Sequence, residues 1–227
     1  MTDPLAFQLA HYRAGRHIRV VNFHNTPAAR AADYERQLAP YAAAFAPVTV
    51  ADLDRLFETG EWGLDRPGVI PVLYEGYRNN VEVALPLIER LGLVAWLFIP
   101  TAWLDVEPDR QATFADAHDI GLPGDADRAD RLAMRWSDVR VAADRHVICA
   151  HTATHAAADS IRDEASVERE IREPKRKLEA ASGRPVEVFA WLFGAPDGGN
   201  AVADAALRSA GYRYLFSNTA VERITLR

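Results

Sequence analysis

His146-Val147-Ile148-Cys149-Ala150-His151-Thr152-Ala153-Thr154-His155 reads as the end of a buried strand followed at once by two histidines four residues apart. If the chain turns helical after Ala150, positions i and i+4 share one face, about 5–6 Å apart at Cβ. Two imidazoles so placed can hold one zinc ion through a ring nitrogen each. The plainer reading is a pair of surface or helix-packing histidines, and the neighbouring segments decide between the two.

Working outward, short apolar runs alternate with amphipathic segments. Residues 18–23 form a first strand, stopped by His24-Asn25-Thr26-Pro27, so His24 lies at its C-terminal end. Residues 28–45 carry Tyr34, Leu38, Tyr41 and Phe45 at helical spacing. Residues 48–50 read as a short strand or edge. Residues 51–59 read as a helix with Leu53, Leu56 and Phe57 inward and Gly60 as its C-cap. Residues 69–74 are a buried strand, 79–91 a helix with Val83, Leu87 and Leu91 on one face, and 93–99 another apolar strand. On the far side of the histidines, 166–181 is helical with Ser166 as N-cap and Pro174 as a kink. A strand at 186–191, a helix at 201–210 and strands at 212–216 and 223–226 complete the alternation.

Residues 1–16 read as a loose lead-in, 105–124 as an irregular excursion with one short helix, and 128–145 as a return to helix. Continuous apolar strands between amphipathic helices indicate a parallel sheet covered on both faces. A β/α barrel, closed or incomplete, is the first architecture and an open doubly wound sheet the second. No glycine-rich phosphate loop follows any strand, which leaves nucleotide binding without support.

Composition narrows the function classes. The chain has 227 residues, 49% hydrophobic and 26% charged, which fits one domain spanning 1–227. Net charge is −6 and no basic stripe occurs, so neither nucleic acid nor an anionic membrane is an expected partner. The single cysteine, Cys149, excludes an internal disulfide and reads as core. No leader and no membrane-length apolar run is visible, which makes the cytoplasm the default location.

In parallel β/α folds, functional groups gather at the C-terminal ends of the strands. Those ends carry His24, Tyr74-Glu75, Pro100-Thr101, His151 to His155, and Leu192-Phe193. A His, His, Glu set plus water is an open zinc site.

At these residues the chain resembles the polysaccharide deacetylase (NodB-homology, carbohydrate esterase family 4) family. His151-Thr152-Ala153-Thr154-His155 resembles its His-Ser/Thr-x-x-His metal motif. Val72-Leu73-Tyr74-Glu75-Gly76-Tyr77, followed by Asn79-Asn80, occupies the slot of its Thr-Phe-Asp-Asp-Gly-Tyr. Residues 170–185 with Phe189-Ala190-Trp191-Leu192-Phe193-Gly194 resemble the helix and the Phe-Ala-Tyr-Pro-Tyr-Gly strand after it, and Ala210-Gly211-Tyr212-Arg213 the last helix-to-strand corner.

The resemblance implies a distorted (β/α)7-type barrel and hydrolysis of an N-acetyl or O-acetyl group by a water that a divalent metal, zinc first among them, activates. Carried over, Glu75, His151 and His155 are the metal ligands. Phe23-His24 is similar to a Tyr-His strand in one branch of the family, which makes His24 the acid for the leaving amine. Tyr74 stands where the family has its base aspartate, and Leu192 where it has proline. A phenol with a pKa near 10 is a poor base at pH 7. Trp103, Trp191 and Phe193 are the candidates for stacking on a sugar. Three functional readings follow: a hydrolase of a small acetylated sugar or amide in which Tyr74 or Glu75 takes a modified role; a deacetylase fold that has lost hydrolysis and binds or scaffolds; and a deacetylase that borrows another carboxylate, Asp105 or Asp197, from a loop.

Overall fold

A computed structural model describes residues 4–122, 131–217 and 220–224. Among the described residues eight strands form one sheet: β1 Ile18–Phe23, β2 Ala46–Pro47, β3 Gly68–Tyr74, β4 Trp96–Ile99, β5 Val147–Ala150, β6 Val188–Ala190, β7 Tyr214–Phe216 and β8 Val221–Arg223. Their order is β1-β3-β4-β5-β6-β7-β8, with β2 beside the start of β3. All pairings are parallel except β7 with the final strand β8. Among the described residues no pairing joins β1 to β8. The sheet is therefore a curled, incomplete barrel, a distorted (β/α)7 type, and not a flat doubly wound sheet.

The period-two pattern sorts the strands into two cores. Ile70 and Val72, Trp96 and Phe98, Cys149, Val188 and Ala190, and Tyr214 and Phe216 share one cluster, the barrel interior. The intervening residues Val69, Leu73, Leu97, Ile99, Ile148, Phe189 and Leu215 pack outward against the helices. Low in the barrel, the Trp96 indole donates to the Val48 carbonyl at 2.9 Å. The interior is filled with side chains, which leaves room for a site only above the strand ends. Register brings those ends level: Phe23 pairs with Leu73, Tyr74 with Phe98, Ile99 with Ala150, and Ala150 with Phe189.

The helices are α1 Pro4–Arg13, α2 Ala31–Ala44, α3 Val50–Thr59, α4 Leu85–Arg90, α5 Thr101–Asp105, α6 Gln111–Ala117, α7 Trp136–Ala142, α8 Glu164–Val167, α9 Glu173–Ser182 and α10 Ala201–Ser209. Several differ from the sequence reading, each for a local reason. The lead-in at 1–16 contains α1. Its apolar residues Phe7, Leu9 and Tyr12 are all exposed and spread around the axis, so no amphipathic period was there to read. The strand expected at 48–50 lies at Ala46–Pro47, because Thr49 and Asp52 form a capping box that starts α3. Phe57 in α3 is exposed rather than inward.

A π-helical turn at Asn80–Ala84 precedes α4 and inserts a residue into the helical count. The buried face is consequently Ala84, Leu85, Leu87 and Ile88, not the expected row Val83, Leu87, Leu91. A second π turn, Glu168–Arg172, links α8 to α9 and receives Pro174 in the first turn of α9, where proline's missing N–H costs nothing. The N-cap there is Asp163, and Ser166 is its capping-box partner. The 105–124 excursion holds a 3-10 turn at Pro108–Arg110 as well as α6, while Pro123-Gly124 lies outside the described residues. Among the described residues helix resumes at Trp136, after Ala133 has made a bridge to Tyr77. The start of the 128–145 segment and Leu226 also lie outside the described residues.

Candidate metal centre

The segment after β5 is a tight turn, not a helix. Thr152 and His155 both have left-handed backbone, at φ +62 and +59. The Thr152 hydroxyl accepts the Ala156 N–H at 2.8 Å, and the Thr152 and Ala153 carbonyls accept N–H groups from Thr101 and Ala102 at the start of α5. Glu170, buried in the second π turn, holds the other side. Its carboxylate accepts the Ala153 and Thr154 N–H groups at 3.0 and 2.9 Å, the Thr154 hydroxyl at 3.0 Å and the Arg169 guanidinium at 2.7 Å. The turn thereby brings together the two rings that a helical face was expected to align, with centroids 4.8 Å apart.

Each ring is fixed by its far nitrogen. His151 Nδ1–H donates to the Ala190 carbonyl at 2.7 Å and His155 Nδ1–H to the His118 carbonyl at 2.8 Å. A carbonyl can only accept, so both rings carry the proton on Nδ1 and leave a lone pair on Nε2. Burial lowers the pKa of both, that of His151 to about 3. They are neutral imidazoles at physiological pH, the form that binds metals.

Glu75 follows β3 with φ +64, and Gly76 continues the left-handed turn at φ +66. A Cβ on Gly76 would press on Ile99 at 3.3 Å, so glycine suits both the backbone and the close approach. The turn aims Glu75 inward. Its Oε1 lies 3.7 Å from His155 Nε2 and 3.5 Å from His24 Nε2, while its buried Oε2 has no hydrogen-bond partner among the described residues. Burial raises its pKa to about 8, with the Tyr77 hydroxyl opposing part of the rise. Donor atoms of Glu75, His151 and His155 all lie within 4.8 Å of one another. Two Nε2 lone pairs and an orphaned buried carboxylate oxygen form a donor set that fits a divalent cation.

Above this trio opens a cavity of about 460 Å³, within the usual range for small-molecule sites. His24 lines it from the end of β1, with most of its ring exposed, and stacks on Tyr74 at 5.3 Å. Thr26 and the two asparagines anchor that strand end to β3. The Thr26 N–H and hydroxyl donate to Asn79 and Asn80, and the Asn80 amide donates to the Tyr74 carbonyl. The Tyr74 ring continues the interior row of β3 between His24 and Phe98. Burial, with the nearby Cys149 and Glu75 groups, raises its pKa further, so the phenol keeps its proton and can donate but not act as a base.

The three stacking candidates separate. Trp103 does not reach the cavity; it is fully buried against Tyr77, with its indole N–H on the Gln111 carbonyl. Trp191 lines the cavity wall but is buried edge-on against Phe189, and its indole nitrogen has no partner among the described residues. Phe193, 74% exposed with φ +63, stands at the rim. Neither loop carboxylate arrives. Asp105 is bound to Lys177 and Trp136, and Asp197 to Arg208. Asp119, which the sequence reading passed over, lines the cavity instead.

Two expected results follow from this geometry. In Glu170→Gln, one side-chain oxygen becomes an NH2 group facing donors it cannot satisfy. Loss of about 1–3 kcal/mol in thermal or urea melts is expected, together with a drop of about 10–100-fold in metal affinity from the slackened turn.

The second concerns pH. Unfolded Glu75 loses its proton near the ordinary 4.5 and folded Glu75 near 8, so between those values the folded state holds a proton that the unfolded state has released. The metal-free protein therefore loses stability as pH rises through that window and does not recover it above. Glu75→Gln removes the effect. In melts with chelator it is expected to exceed wild type by about 4 kcal/mol at pH 8 and to match it at pH 4.

Comparison with known proteins adds three findings. A family model for polysaccharide deacetylase matches residues 73–215. The fold is similar to that of Streptococcus pyogenes deacetylase PplD in complex with acetate, at TM-score 0.67 and 11% identity over 91% of this chain and 85% of that one. It is also similar to IcaB from Ammonifex degensii (0.63, 16%, covering 88% and 83%) and to the BpsB deacetylase domain from Bordetella bronchiseptica (0.64, 14%, covering 92% and 91%). No curated protein matches in sequence. Among the described residues no helix is long and apolar enough to cross a membrane.

Proposed function

The chain belongs to the polysaccharide deacetylase family, and from that premise we propose that it is a metal-dependent hydrolase removing an acetyl group from an N-acetylated, or O-acetylated, sugar or similar small amide. The observation that carries the reading is the convergence of Glu75, His151 and His155 at the floor of an open cavity. Neutral imidazoles and a carboxylate favour zinc among the available cations. Bound there, the cation would polarise an acetyl carbonyl and bring the pKa of a water towards neutrality.

The chain's own residues do the rest. Glu75, His151 and His155 hold the cation, with the Ala190 and His118 carbonyls orienting the two rings. His24, open to the cavity beside Glu75, gives a proton to the leaving nitrogen. Tyr74 keeps the His24 ring in place from one side and touches His151 on the other. Phe193 offers a rim aromatic for a sugar face.

The test is acetate release from a panel of N-acetyl and O-acetyl sugars with added zinc, against His151→Ala as background. Turnover above that background supports the hydrolase. A protein that binds the ion and releases no acetate from any of them would be a binding or scaffold member of the family.

A further inference from the structure

The family position for a base carries Tyr74, and a phenol, with an ordinary pKa near 10, is a poor base at pH 7, so hydrolysis here calls for a proton acceptor from elsewhere in the chain. We propose that Asp119, on the loop after α6, is the general base of this site. The proposal rests on the hydrolase reading above and assigns one role within it.

Among the described residues lining the cavity, Glu75 and Asp119 are the two carboxylates. Glu75 is committed to the floor beside His155. Among the described residues no cation pairs with Asp119 and no hydrogen-bond donor occupies its oxygens, in contrast to Asp105 and Asp197.

Its side chain is exposed, and its backbone is tied to the site. The carbonyl just before it, that of His118, accepts the His155 Nδ1–H at 2.8 Å, so the peptide leading into Asp119 is tied to a proposed metal ligand. Asp119 also has left-handed backbone, φ +54. The other non-glycine residues with positive φ among those described are Glu75, Thr152, His155 and Phe193, all of them at this site. Backbone held in sparsely populated regions clusters at active sites.

The step balances without another reactant. Water gives a proton to a carboxylate oxygen of Asp119 while its oxygen bonds to the acetyl carbon. The C–N bond then breaks, and the amine takes a proton from His24. Acetic acid and the amine leave; solvent returns a proton to His24 and removes one from Asp119.

Asp119→Asn keeps the shape, and asparagine tolerates left-handed backbone, so the loop is retained. The expected result is a fall in kcat of about 10²–10⁴ for an acetamide substrate, with KM, melting temperature and metal per chain unchanged. Tyr74→Asp placed on the Asp119→Asn protein is expected to recover at least about tenfold of the lost rate, because it returns a carboxylate to the end of β3.

Three outcomes overturn the assignment. If wild type turns over and Asp119→Asn stays within about threefold of it, Asp119 is not the base and the hydrolase reading stands. If Asp119→Asn loses its metal, the residue supports the ion rather than taking a proton. If wild type with one metal per chain releases no acetate, the hydrolase reading fails and the base falls with it.

Discussion

Alanine at both His151 and His155 is expected to take the bound divalent ion from one per chain to none, and metal-dependent turnover to background. The rings supply two of three donors, and each is held by a carbonyl that leaves its Nε2 free. Glu75 alone is a single carboxylate, and one carboxylate does not hold a transition-metal ion against water. Metal analysis after dialysis reads the stoichiometry. Melting with and without zinc gives an independent reading, because an ion at about 100 times its Kd adds about 2.7 kcal/mol to a folded state that alone binds it. Wild type should gain that increment and the double variant should not. Circular dichroism is needed as a control, since removing His151 leaves the buried Ala190 carbonyl without its donor. Metal retained in a folded double variant would place the ion elsewhere and undo the proposed function.

His24→Ala is expected to lower kcat for an acetamide by about 10²–10⁴ while the metal content stays that of wild type. His24 stands at the end of β1, open to the cavity, and the metal trio is complete without it. Burial lowers its pKa even though most of the ring is open, which disfavours the protonated form an acid uses. The diagnostic comparison is between leaving groups. An amine cannot depart without a proton, whereas an activated phenol can. The variant should lose most of its rate on the amide and little on p-nitrophenyl acetate. Equal losses on both would assign His24 to binding or to support of Glu75.

Strand positions were legible in the sequence because β3 and β4 are buried on both faces and read as unbroken apolar runs. Once the strand ends were found, Glu75, His151 and His155 could be named from them, since equivalent ends of a parallel sheet must meet. The shape that brings the histidines together could not be read. A four-residue spacing suggests a helical face, and only Glu170, fifteen positions beyond His155, shows that the backbone N–H groups of a turn are being capped from another element. The phase of the helix after Asn80 was misread because a π turn shifts every later position by one and leaves no signature in hydrophobicity. Trp103 looked available because it follows a strand end, yet α6 folds over it. Asp119 was invisible for the converse reason. It lies in an irregular stretch, and its link to the site runs through the backbone carbonyl of its neighbour.

The five non-glycine residues with left-handed backbone in and beneath the cavity have a consequence for how the molecule responds to selection. Each non-glycine residue held there costs about 1 kcal/mol that glycine would not. At Asp119, with no side-chain hydrogen bond to forfeit among the described residues, a glycine codon should make the protein harder to melt. A library sorted only for heat resistance would thus drift towards glycine around the mouth of the barrel, and its most robust survivors would be its poorest catalysts.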